Sequence, residues 1–88
     1  MNNRQERRNS RMTKRLLNLF GKDYTINWQG HHASLKPWEG PVIHVTFIGN
    51  RYHVKVPSLN FEWRGDHLPT AAKQLKLTQM LGGDHAHA

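Results

Sequence analysis

The strongest constraint on the fold is a change of period. Between Tyr24 and Val56 apolar residues recur at every second position, and on either side they recur at helical spacing. Tyr24, Ile26 and Trp28 alternate with Thr25, Asn27 and Gln29. Ala33 and Leu35 alternate with His32, Ser34 and Lys36. Ile43, Val45 and Phe47 alternate with His44 and Thr46, and Tyr52, Val54 and Val56 with Arg51, His53 and Lys55. Side chains on a strand point alternately to its two faces, so each run has one apolar and one polar side. Gly30, the segment Pro-Trp-Glu-Gly-Pro from Pro37 to Pro41, and the hairpin signal Gly49-Asn50 separate the runs, and Pro57 ends the last. Phe61 and Trp63 are expected in a further short strand or an extended loop.

Ahead of this stretch, Met12, Leu16, Leu17 and Phe20 recur at helical spacing, with Ser10 as a possible cap and Gly21 as a stop. The spacing predicts a helix over 11–20, with Arg11, Lys14 and Arg15 away from its apolar stripe. After it, Asp66-His67-Leu68-Pro69-Thr70 reads as a helix entry, followed by Ala71, Ala72, Leu75, Leu77, Met80 and Leu81, with Gly82-Gly83 as the stop.

The expected fold is therefore α+β: helix, antiparallel sheet of three to five strands, helix. Short connections favour a meander. Only one sheet face is apolar, so both helices are expected on it. Residues 1–9 read as a disordered basic arm, 10–82 as one domain, and 83–88 as a disordered tail that includes His85 and His87. With 88 residues and no cysteine, one modest core must hold the chain without disulfides, and Cys-based zinc sites are excluded. There is no apolar run of membrane-spanning length and no apolar core behind the first arginines, so a soluble cytoplasmic protein without a membrane partner is expected.

The formal net charge is +7, with seven histidines counted as neutral. Such a surplus favours phosphate backbones through counterion release. Strand parity locates part of it: with the apolar residues inward, His32, Ser34, Lys36, His44, Arg51, His53 and Lys55 share the outward face. Together with Arg11, Lys14 and Arg15 on the first helix, Lys36, His44, Arg51, His53 and Lys55 are the candidate nucleic-acid contacts. A histidine there could act as general acid or base on RNA while Lys and Arg stabilise the charged phosphate. Three histidines could also bind zinc, but no carboxylate supports such a site, and no metal or cofactor is assigned. There is no Walker-type glycine loop and no zinc-finger spacing.

Several segments resemble the HicA-type (YcfA-like) toxins. Gln29-Gly30-His31-His32-Ala33-Ser34-Leu35-Lys36-Pro37 is similar to their Gly-Ser-His strand. Val54-Lys55-Val56-Pro57 is similar to their Val-x-Val-Pro strand, and Asp66-His67-Leu68-Pro69 to their helix entry. The resemblance implies a double-stranded-RNA-binding-domain-like fold and metal-independent mRNA cleavage by one histidine, carried over to His32. It also implies a HicB-type antitoxin, here a small acidic protein partner. The chain departs from that pattern in the extra strand-like run from Val42 to Ile48, in Thr70-Ala71-Ala72 where a Gly-Thr pair is usual, and in its N-terminal arm. Three functions stay open: a ribonuclease toxin, a non-catalytic phage- or plasmid-type nucleic-acid-binding accessory protein, and a small inhibitor that docks an acidic protein.

Overall fold

The computed structural model describes the backbone of residues 3–87 and the side chains of residues 7–81. Helix α1 (Asn3–Phe20) precedes strands β1 (Tyr24–Gln29), β2 (His32–Pro37), β3 (Ile43–Ile48), β4 (Arg51–Val56) and β5 (Phe61–Gly65), and helix α2 (Leu68–His87) follows. The strands form one antiparallel sheet in the order β1-β2-β3-β4-β5, so every neighbour in sequence is a neighbour in space. The two shortest connections, Gly30-His31 and Gly49-Asn50, each place glycine at φ +61° in the first central position. That geometry fits the right-handed twist of the flanking strands and disfavours a side chain. Pro57–Leu59 forms a single 3₁₀ turn between β4 and β5, closed by Asn60 at φ 53°.

The core is the apolar sheet face predicted from the alternation. Ala33, Leu35, Ile43, Val45, Val54, Val56 and Phe61 are buried from the sheet, Leu16 from α1, and Leu68, Ala71 and Leu75 from α2. These form one cluster, so both helices lie on the same side of the sheet. The helices touch each other, α1 lying against β1 and α2 against β5. Ala33 sits between Trp28 and Val45 in the register. Its small side chain lets the Trp28 ring reach across β2 to stack on Phe47, with centroids 5.5 Å apart. Trp28 Nε1 donates to Thr13 Oγ1 at 2.8 Å, which satisfies the indole and fixes α1 on β1.

The expected outer ends of both helices are corrected. The first helix starts at Asn3, not Arg11, so residues 3–9 are helical and Ser10 lies inside the helix instead of capping it. The run Arg4-Gln5-Glu6-Arg7-Arg8 lacks apolar residues to bury, but its residue types are good helix formers that extend an already nucleated helix. The second helix continues through Gly82-Gly83 to His87, so residues 83–87 are helical as well. Each glycine costs about 1 kcal/mol relative to alanine without forbidding helix, and no proline follows to enforce a stop. The remainder of the expected arm and tail, residues 1, 2 and 88, lies outside the described residues.

Candidate functional site

With the helices on one face, the other sheet face is uncovered, and the register arranges its side chains in two cross-strand rows. Gln29, His32, Thr46, His53 and Arg64 form one row, from β1 to β5. Asn27, Ser34, His44, Lys55 and Glu62 form the next. Lys36 extends the face beside the second row, and Arg51 extends it beside the first. Every residue in the two rows is polar. Lys36, Arg51, Lys55 and Arg64 are exposed.

The centre of the face is a pair of histidines. His32 Nε2 lies 3.1 Å from His44 Nδ1, and their rings stack with centroids 5.2 Å apart. The other nitrogen of His32, Nδ1, lies 2.9 Å from Thr46 Oγ1. Ser34 Oγ stands 3.5 Å from His44 Nδ1. Both ring nitrogens of His32 are therefore engaged, whereas His44 Nε2 has no hydrogen-bond partner among the described residues. Only one hydrogen can sit between the two rings when both are neutral. The pair then has two tautomeric states, which alternate between a bare Nε2 and an Nε2–H on His44.

Burial in the sheet holds the His44 pKa below the usual histidine value, and the positive neighbours His32, Lys55 and Lys36 add to the shift. His44 therefore favours its neutral form. The third histidine is in a different setting. His53 Nε2 lies 2.9 Å from Glu62 Oε2, with Arg64 Nη2 at 3.8 Å from the same oxygen. The hydrogen bond from His53 holds the Glu62 carboxyl below its ordinary range, and Arg64 and Lys55 add to this. Glu62 is the only carboxylate on the outward positions of the five strands, and these contacts occupy it.

These two groups give stability a pH dependence of known sign. A histidine whose pKa is lowered in the folded state takes up protons on unfolding, so its contribution is complete above 6.5 and is lost as pH falls below that value. The Glu62 contribution is complete above 4.5 and is lost as pH falls below it. The urea midpoint is expected to fall on acidification in two stages. His44→Gln should flatten the first stage, measured as the difference between wild type and variant across the pH series. A first stage of the same size in His44→Gln would show that His44 is not its source.

The structure brings His32, Lys36, His44, Arg51, His53 and Lys55 onto one surface, as strand parity implied. It separates Arg11, Lys14 and Arg15 from them: all three are exposed on α1, which covers the opposite face. Thr46, Glu62 and Arg64 belong to the face and were not singled out from the sequence. The inward pair Phe61 and Trp63 carries the signal for the last two, because parity then turns Glu62 and Arg64 outward. Among the described residues no three His, Cys, Asp or Glu side chains converge to hold a metal ion, and no helix is long and apolar enough to cross a membrane. No protein-family model, curated protein or solved structure matches the chain.

Proposed function

We propose that this chain is a small nucleic-acid-binding protein that holds an RNA backbone against its open sheet face. The supporting observation is the face itself, with Lys36, Arg51, Lys55 and Arg64 exposed around polar cross-strand rows whose one carboxylate is already engaged. Such a surface presents cations at strand spacing and has polar groups between them that can hydrogen-bond sugar and phosphate oxygens. Anisotropy of a labelled single-stranded RNA, titrated with protein at several salt concentrations, tests this. With four phosphate contacts the plot of log affinity against log salt is expected to fall with a slope of about −3. Absent or salt-insensitive RNA binding, with capture of an acidic protein instead, would replace this reading with that of a protein inhibitor.

A second reading, RNA cleavage on the same face, is favoured by the His32–His44 pair. A neutral imidazole with an open Nε2, flanked by lysines, suits removal of a ribose 2′-hydroxyl proton. The 2′-oxygen would then attack the adjacent phosphorus, forming a 2′,3′-cyclic phosphate as the bond to the 5′-oxygen breaks. That oxygen would leave with a proton from solvent or from Lys55, and cationic side chains would stabilise the charge on phosphorus. On this reading His44 is the base and His32 a positioning residue. The resemblance to HicA-type toxins points to the same chemistry and adds a small acidic antitoxin as a partner that would cover the cationic face.

A further inference from the structure

The loop between β2 and β3 carries Trp38, which is 93% exposed. The other two tryptophans, Trp28 and Trp63, pack against the core. Trp38 thus contributes nothing to the fold while keeping a large flat ring in water, where its apolar area is unfavourable. Directly after it, Gly40, Pro41 and Val42 line an open groove of about 600 Å³, with Pro57 and Leu59 from the turn after β4 and with His44. Prolines and short aliphatic side chains make stiff, apolar surfaces with few donors, the kind of surface that a planar ring can lie on. The groove has no carboxylate in its lining, and His44 connects it to the charged face. Lys55 is the cross-strand neighbour of His44, and Lys36 precedes the loop on the same face. Glu39 is the one acid in the loop, and Lys36 and Lys55 together leave the surroundings of the groove net positive.

We infer that Trp38 and this groove form a stacking site for an unpaired nucleobase, so that the nucleic acid bound by the sheet face is single-stranded. This rests on the nucleic-acid reading given above and specifies its ligand. The ring of Trp38 offers a face for one base, and Lys36 and Lys55 on the adjoining sheet face supply positive charge for the flanking phosphates. Base–aromatic stacking tolerates any base, because every base has a π-face, but it requires the base to be free of a duplex stack.

The test compares a short labelled single-stranded RNA with the blunt duplex of the same sequence, using the full chain. Trp38→Ala is suitable because the side chain makes no core contact, and unchanged circular dichroism would confirm the fold. The expected result is that Trp38→Ala weakens single-strand binding by roughly ten- to a hundredfold. Duplex binding should stay unchanged, and Trp38→Phe should retain most of the single-strand affinity. Quenching of tryptophan emission by the single strand should disappear in Trp38→Ala. An unchanged single-strand affinity in Trp38→Ala, alongside a loss in the double variant Lys36→Gln/Lys55→Gln, would overturn the stacking site and leave the sheet-face reading standing. Equal losses on single strand and duplex would also overturn it. Wild-type protein that binds neither RNA would overturn both readings.

Discussion

Replacing Lys36, Arg51, Lys55 and Arg64 together with glutamine is expected to remove most RNA binding without unfolding the protein. All four are exposed, and among the described residues the only ionic contact they make is the 3.8 Å approach of Arg64 to Glu62. At roughly 0.5–1 kcal/mol for each exposed cation–phosphate pair, the four contacts together amount to about 2–4 kcal/mol. That corresponds to about thirty- to a thousandfold in affinity. The salt slope should also fall toward zero, since each contact removed releases fewer counterions. The matched control is Arg11→Gln/Lys14→Gln/Arg15→Gln. These residues lie on α1 across the sheet, and their field at the open face is screened over a Debye length of about 8 Å at physiological salt. The control should change affinity far less. Anisotropy titrations of both variants decide the matter: if the helix variant loses as much as the sheet variant, RNA is not held on the histidine face.

The contrast between these two sets of cations also shows where the sequence was readable. Period-two alternation fixes which face each strand residue takes, so the gathering of His32, His44 and Lys55 on one surface could be read without coordinates. The number of strands was harder, because Phe61 and Trp63 span too few residues to tell a strand from an extended loop. Pairing with β4, where Val56 faces Phe61 and Val54 faces Trp63, decides it. Helix ends were misread for a related reason: residues 3–9 offer no apolar stripe, and apolar periodicity cannot report a helix that continues on propensity alone. Strand parity placed Arg64 and Glu62 only after β5 was known. Parity also says nothing of register, and it is register that sets His32 diagonally across from His44, with Thr46 opposite His32 and Ser34 opposite His44. The resemblance to HicA-type toxins carried a single histidine to position 32. On the cleavage reading, the hydrogen bonds distribute the chemistry over two residues and leave the open nitrogen on His44.

That distribution sets the largest effect expected of any single side chain on the cleavage reading. His44→Gln should lower the rate of RNA cleavage by about 10²- to 10⁴-fold, the usual contribution of a positioned general base, while leaving RNA affinity nearly unchanged. Glutamine keeps a hydrogen-bonding group near His32 but cannot take up a proton. His32→Asn should be milder, since its amide can still meet His44 or Thr46. The informative readout for His32 is the pH profile. With a neutral base required, wild-type cleavage should rise with pH below 6.5 and then level off. His32 is one of the positive neighbours that hold the His44 pKa down, so removing it should move the rising limb toward higher pH. Burial is the larger cause of that depression and persists, so the displacement should be partial. A lost limb in His44→Gln together with a displaced limb in His32→Asn identifies His44 as the base and His32 as the group that positions and tunes it. Full cleavage by His44→Gln would remove His44 from the chemistry, and an unshifted profile in His32→Asn would reduce His32 to packing.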